Sequence, residues 1–210
     1  MRSTMSVLVL TSLGCRPDLG LPSYPEVDDF QDTGSAFRDG AVPFEPGDER
    51  LSLSVFYEGE ATETIVVDDV VTHYFIYENT FSQAVSLERI EGLQSDEITL
   101  RDLAWWGGGV HWDNPVDLSG WTTLRISLRS SDPVFDVMEL GMLGGVEGRV
   151  AVADHGFVAD GEWHHLAVPL SAFASGGVDL TNITIAVIFA SGTASSGAQI
   201  LVDDLYFSKE

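Results

Sequence analysis

From Leu51 onward, hydrophobic and polar residues alternate in short runs. The segments Thr123–Arg129 and Trp163–Pro169 show this period of two most clearly. Successive side chains of a strand point to opposite faces of a sheet, so the period predicts half-buried β-strands. Glycine, aspartate and asparagine separate most of the runs, as they do at turns. Further strands are predicted at 51–57, 65–71, 73–77, 84–90, 97–105, 109–112, 135–142, 149–153, 183–190 and 200–207.

These runs predict a fold made almost entirely of strands. No segment keeps a 3.6-residue period over several turns, and the only predicted helical turn is at 171–174, after Pro169. Many short strands with regular turns are typical of two packed antiparallel sheets. We therefore predict one domain at 51–210, an all-β antiparallel β-sandwich. Its core is predicted to include Trp112, Trp121 and Trp163.

The first 15 residues have the composition of an export signal, with an apolar run at 7–10 that is too short to cross a bilayer of about 30 Å. The segment resembles a bacterial lipoprotein signal, which implies lipidation of Cys15. Arg16 after the cysteine then implies sorting to the outer membrane or cell surface. An ordinary cleaved signal or an unprocessed N-terminus is the alternative, because Leu13 lies one place nearer the cysteine than in the usual pattern.

Residues 16–50 are predicted to form a flexible acidic spacer. Their apolar content is too low to offset the entropy lost when a chain becomes ordered. Proline at this density keeps a chain partly extended, which suits an arm that holds a domain away from a membrane. The prolines are Pro17, Pro22, Pro25, Pro43 and Pro46.

The chain is strongly acidic, with 33 Asp and Glu against 10 Lys and Arg and a formal net charge of -23. This charge opposes binding to nucleic acid and to anionic membrane surfaces, so membrane contact is expected through the lipid anchor only. Cys15 is the single cysteine, which rules out a disulfide within the chain. We expect a monomer.

Sequence motifs of common enzymes are missing. The chain has no Gly-x-Ser-x-Gly, no phosphate-binding Gly-x-x-x-x-Gly-Lys and no His-Glu-x-x-His. The run Gly107–Gly109 is interpreted as a bend between strands. His164 and His165 should point to opposite faces of a strand and so should not share a metal. We therefore expect a noncatalytic protein.

The best candidate for a binding site is the aromatic segment 105–113. The face of a tryptophan ring can stack on the flat apolar face of a sugar ring. Polar side chains nearby can then form hydrogen bonds with the sugar hydroxyls. If this segment is a strand, the two adjacent tryptophans project to opposite faces. The predicted ligand-binding residues are Trp105, Trp106, His111 and Asp113, with Arg125 and Arg129 as hydroxyl donors.

Three segments resemble the galactose-binding-like jelly rolls that occur as carbohydrate-binding modules. They are 115–129, which contains Asp117-Leu-Ser-Gly-Trp121, then 161–173 and the terminal strand 200–207. The resemblance implies a β-sandwich that binds a polysaccharide or glycan. It also implies a structural Ca²⁺, for which Asp203 and Glu78 are the ligands expected by position. Calcium would take six to eight oxygen ligands there.

The combined hypothesis is a noncatalytic carbohydrate-binding surface lipoprotein. A structural or protein-interaction adaptor lipoprotein with the same fold is the first alternative, because fold does not fix function. A glycan-active enzyme is the second alternative. Exposed tryptophan in a polar groove would favour sugar binding, whereas converging carboxyl groups in a cleft would favour an enzyme.

Overall fold

The structure is a computed structural model that describes residues 50–53, 64–66, 72–90 and 94–209. The predicted signal, the lipidation of Cys15 and the predicted spacer up to residue 49 lie outside the described residues. Arg50, which we assigned to the spacer, is instead buried in the first strand. Within the described part of the chain, no helix has the length and apolar composition needed to cross a membrane.

The fold is a β-sandwich of two sheets with one short α-helix and three 3-10 turns in the described residues. Nearly all strand pairs are antiparallel, and β1 with β2 is a parallel pair. The prediction of an all-β antiparallel sandwich is confirmed. The elements are β1 (Arg50–Ser52), β2 (Thr64–Val66), β3 (Thr72–Ile76), β4 (Phe81–Ser86), β5 (Ser95–Leu100), β6 (Trp106–Val116), β7 (Thr123–Arg129), β8 (Glu139–Gly144), β9 (Val146–Ala151), β10 (Trp163–Pro169), α1 (Leu170–Ser175), β11 (Ile183–Ser191) and β12 (Gln199–Ser208).

The larger sheet has seven strands and is organised around β12. One side of β12 pairs with β7, which in turn pairs with β10. The other side of β12 pairs with β5 along its first half and with β1 along its second half. Strand β4 then pairs with β5, and β2 pairs with β1, which completes the sheet. The smaller sheet has five strands in the order β3, β6, β11, β8 and β9.

The core lies between the two sheets and is built from every second residue of the strands. In β7 these are Leu124, Ile126 and Leu128, and the facing sheet contributes Val110 and Trp112. Burying one such side chain stabilises the fold by roughly 1.5–3 kcal/mol. The predicted core position of Trp112 is confirmed, and Trp121 packs against the core from a partly buried position.

Trp163 does not belong to this core. Its register partner is Arg129. This pair lies two residues along the strands from the pair of His165 and Ser127, so it is on the same outer face of the seven-stranded sheet. The prediction for Trp163 was therefore wrong, because the inward residues of β10 are Leu166 and Val168.

The three consecutive glycines lie inside β6. The prediction that they form a bend between strands is therefore wrong. Gly109 shows why glycine is needed, because a Cβ there would lie 2.1 Å from the carbonyl oxygen of Val187. At Gly108 a Cβ would lie 2.7 Å from the ring of Phe81. These glycines let β6 lie unusually close to its neighbours, so the segment remains a strand.

Candidate functional site

The outer face of the five-stranded sheet carries rows of side chains that cross it from strand to strand. These residues alternate with the core positions, so they point away from the larger sheet. Strands lie about 4.8 Å apart, so a row of five residues spans roughly 19 Å. One row is His73, His111, Ile185, Leu143 and Glu147, the next is Phe75, Gly109, Ile188, Gly141 and Arg149, and the third contains Gly107, Ala190, Glu139 and Ala151.

Five aromatic or imidazole rings form a continuous strip at the β3 and β6 side of this face. His73 stacks on His111, with ring centroids 4.9 Å apart and 19° between the planes. Phe75 lies 5.7 Å from His111 and 5.0 Å from Tyr77. Tyr77 lies 6.4 Å from Trp105 at the end of the strip. We call these five residues the aromatic strip.

An open groove of about 390 Å³ runs beside the aromatic strip. This volume falls within the ordinary range of small-molecule sites. Aromatic side chains line one side of the groove, and aliphatic and hydroxyl groups line the other. The lining residues are Phe75, Tyr77, His111, Trp112, Leu143, Thr184 and Ile185.

A charged group closes the opposite side of the same face. Arg149 on β9 forms ion pairs with Glu139, at 3.2 Å, and with Glu147, at 2.5 Å. A Cβ placed on Gly141 would lie 3.5 Å from Cγ of Arg149, so the arginine stem lies across β8. The face therefore presents rings at one side and hydrogen-bonding groups at the other.

The two adjacent tryptophans have different environments. Trp105 precedes β6, is 37% exposed and joins the aromatic strip. Trp106 is fully buried, where it makes edge contacts with Phe81 and Phe135. A ring with no exposed face cannot stack on a surface ligand, so Trp106 is not part of the candidate site.

The other predicted ligand-binding residues fall on two separate faces. His111 lies in the aromatic strip, and Asp113 is exposed two residues further along β6. Arg125 and Arg129 instead lie on β7, on the outer face of the seven-stranded sheet. There Arg125 donates to Ser208, and Arg129 donates to the carbonyl of Gly161 and pairs with Glu88. Opposite faces of a sandwich cannot hold one small ligand, so the two arginines do not belong to this site.

The strand register places the two predicted calcium ligands toward opposite ends of β5. Asp203 follows Val202, which pairs with Asp96 near the start of β5, whereas Glu78 precedes Phe81, which pairs with Leu100 at its end. The two reference pairs are separated by roughly 13 Å along β5, whereas carboxylate oxygens that share one Ca²⁺ each lie about 2.3–2.6 Å from the ion.

The carboxylate of Asp203 has other partners. It accepts hydrogen bonds from the backbone N–H groups of Ile90, at 2.6 Å, and Asp204, at 2.9 Å. No group of three His, Cys, Asp or Glu side chains in the described residues is placed to hold a metal ion. Asp203 is therefore better explained as an acceptor that ties the segment around Ile90 to β12.

A serine, a histidine and an aspartate meet on the seven-stranded sheet, but not in the order that catalysis requires. The Ser127 hydroxyl lies 2.8 Å from Nδ1 of His165 and donates to Oδ2 of Asp204 at 3.2 Å. In a catalytic triad the histidine stands between the other two residues. Here the serine stands between them and is buried, so the arrangement is that of a structural hydrogen-bond chain.

Sequence reasoning missed three members of the aromatic strip, namely His73, Phe75 and Tyr77. The alternation of β3 carried the signal, since these three residues are every second position of a predicted strand. What the sequence could not supply was the register that places β3 beside β6. That register brings His73 opposite His111.

Comparison with solved structures yields carbohydrate-binding modules with the same sandwich fold. The family 30 carbohydrate-binding module of the cellulosomal cellulase Cel9D-Cel44B of Clostridium thermocellum superposes with a TM-score of 0.53 at 14% identity, covering 67% of this chain and 92% of that chain. Another family 30 module gives 0.53 at 15% identity, covering 68% and 95%. The family 11 module of the C. thermocellum cellulase Lic26A-Cel5E gives 0.49 at 16% identity, covering 69% and 89%.

At these identities the likeness establishes the fold. No protein-family model matches the chain, and no curated protein matches it.

Proposed function

We propose that the chain is a noncatalytic carbohydrate-binding protein that holds a glycan on the outer face of its five-stranded sheet. The observation that carries the proposal is the aromatic strip, in which Phe75, Tyr77 and His111 line an open groove and Trp105 continues the strip beyond Tyr77. The carbohydrate-binding modules that share the fold support the same class of ligand.

Stacking supplies most of the binding energy in this proposal. The face of an aromatic ring is apolar and carries a negative quadrupole, so it attracts the C–H groups of a sugar ring. Tyr77 and Trp105 are each 37% exposed, so part of each side chain is accessible to a ligand. A single open site of this kind implies a Kd between millimolar and micromolar, about 4–8 kcal/mol.

Polar groups around the groove fix the orientation of the sugar. Thr184 in the groove and Asp113 beside His111 supply hydroxyl and carboxylate oxygens. On the far side, Arg149 is held between two glutamates, so its donors are ordered before a ligand arrives. The acidic groups that surround the site favour a neutral glycan over a uronic or sulfated one.

A role in hydrolysis has less support. A glycosidase needs one carboxyl group with a raised pKa as its general acid. The pKa of Asp117 is lowered by its hydrogen bonds with Ser119, and the pKa of Asp160 is lowered by its hydrogen bond with His164. Neither residue lines the groove.

The proposal includes delivery to the cell surface. A lipid on Cys15 would anchor the chain in the outer membrane, and the acidic segment at 16–49 would space the sandwich from it. Radiolabelled palmitate incorporation in a bacterial host, lost on Cys15→Ser, tests this part without any assumption about sugar. Incorporation that persists in the variant contradicts the anchor at Cys15.

A polysaccharide panel tests the sugar site. Affinity electrophoresis of the chain in gels that contain neutral glucans, xylans, mannans or galactans, or anionic pectin, measures retardation for each polymer. We expect retardation by at least one neutral polymer, and at least tenfold weaker binding for Trp105→Ala and Tyr77→Ala.

Trp163→Ala is the matched control, because this tryptophan lies on the opposite sheet. It should leave the retardation unchanged. Absence of retardation by every polymer overturns the proposal and favours the protein-adaptor alternative. If Trp105→Ala and Tyr77→Ala are both retarded as strongly as the unmodified chain, the sugar binds outside the aromatic strip.

A further inference from the structure

The stacked pair of His73 and His111 has the geometry of a second kind of binding site. The two histidines are register partners on adjacent antiparallel strands and point to the same outer face. Their ring centroids are 4.9 Å apart. His73 is exposed and His111 is half-buried, so an ion can reach both rings without burying a charge.

We propose that His73 and His111 bind one divalent transition-metal ion, of the Zn²⁺, Ni²⁺ or Cu²⁺ class, through one nitrogen each. Zinc–nitrogen distances are about 2.0–2.1 Å, so two nitrogens on a tetrahedral ion lie about 3.3 Å apart. The two ring centroids are 4.9 Å apart, so one ion can bind a nitrogen of each ring once the stacked imidazoles turn toward it.

The surroundings of His111 favour a metal ligand. Its Nδ1 lies 3.4 Å from the carbonyl oxygen of Trp112, on the same strand. A histidine that binds metal through one nitrogen usually gives the other N–H to a carbonyl or carboxylate, which fixes the tautomer. In the tautomer that carries its proton on Nδ1, His111 can donate to this carbonyl and bind the ion through Nε2.

The site has two protein ligands, and water completes the coordination. No three metal-binding side chains converge anywhere in the described residues. Asp113 is exposed two residues beyond His111 and adds negative charge near the ion without being a required ligand. Such a site is exchangeable and weak compared with a structural zinc site. Imidazole ligands select copper, nickel and zinc ions and discriminate against calcium and magnesium, which prefer oxygen.

This inference does not depend on sugar binding, although the two functions share the aromatic strip. Since a bound ion holds His111, which lines the groove, zinc should alter glycan affinity if the chain binds a glycan. Loss of the metal site would leave the sugar proposal intact, and the reverse is also true.

Isothermal titration with zinc chloride alone tests the site. The full chain carries Cys15→Ser, because a thiolate would compete for the ion. We expect one zinc per chain at pH 7.5, and binding at least tenfold weaker for His73→Gln and for His111→Gln. His164→Gln is the control, because this histidine lies on β10 of the other sheet, where it pairs with Asp160.

Three results overturn the inference. They are the absence of zinc binding at neutral pH, one-equivalent binding that survives both strip substitutions, and loss of binding in His164→Gln alone. Circular dichroism of each variant shows whether it is folded. If either substitution unfolds the chain, shifts of the imidazole C–H resonances of His73 and His111 on zinc addition decide the question in the Cys15→Ser chain.

Discussion

Ser127 Oγ and His165 Nδ1 lie 2.8 Å apart on the outer face of the seven-stranded sheet, where the serine is fully buried and the histidine half-buried. Burial lowers the pKa of His165, and the neighbouring His164 lowers it further. The folded state therefore holds this imidazole neutral at pH values where the unfolded chain begins to protonate it.

The first prediction concerns the pH dependence of stability. Because the pKa of His165 is lower in the folded state, its contribution is complete above the ordinary value of about 6.5 and is lost as the pH falls below it. Urea unfolding should show a smaller free energy of unfolding at pH 5.5 than at pH 8. His165→Gln should flatten this part of the profile. An unchanged slope in the variant would assign the effect to other groups.

The second prediction separates the adjacent tryptophans. Trp106→Ala removes a fully buried ring and should lower the free energy of unfolding by roughly 3–5 kcal/mol. Trp105→Ala removes a partly exposed ring and should lower it by less than about 1 kcal/mol. Chemical denaturation of both variants gives the comparison. Equal losses would contradict the assignment of Trp106 to the core and Trp105 to the partly exposed aromatic strip.

The third prediction concerns Gly109. A Cβ at this position meets the backbone oxygen of Val187, which cannot turn aside as a side chain would. Gly109→Ala should therefore destabilise the domain by about 1–3 kcal/mol or more. Gly120→Ala is the control, because a Cβ there has nothing within 4 Å. The melting temperature of Gly120→Ala should stay close to that of the unmodified chain.

The fourth prediction concerns Asp203 and Glu78, the two residues predicted to bind calcium. Asp203→Ala leaves two backbone N–H groups, at Ile90 and Asp204, without their acceptor and should cost about 1–3 kcal/mol for each buried group. Glu78→Gln should change neither the melting temperature nor its response to excess EDTA. A melt that falls on chelation in the unmodified chain but not in Glu78→Gln would restore the calcium site at that residue.

Local pattern predicted much of the architecture. The strands at Thr123–Arg129 and Trp163–Pro169 begin and end where alternation placed them, and α1 contains the helical turn predicted after Pro169. The segment 135–142 was predicted as one strand, yet Pro133–Val137 forms a 3-10 helix before β8 begins. Proline at the start of that turn fixes a helical backbone angle, which outweighs the β-branched residues that follow.

The candidate site was harder to predict because it depends on pairing between distant strands. His111 and Trp105 were identified from their chemistry, and they belong to the aromatic strip. Arg125 and Arg129 carry suitable chemistry on the wrong sheet, which alternation within one strand cannot reveal. His73, Phe75 and Tyr77 joined the site only through the register of β3 with β6.

The central place of β12 also determines the order in which the domain can form. This strand pairs with β1 at residues 50–52, with β5 at 96–99 and with β7 at 123–129, so each of these strands has an open edge until residues 199–208 have been synthesised. Contacts this distant in sequence slow folding and leave edges exposed to other chains in the meantime. We expect the nascent chain to depend on chaperones until β12 emerges from the ribosome.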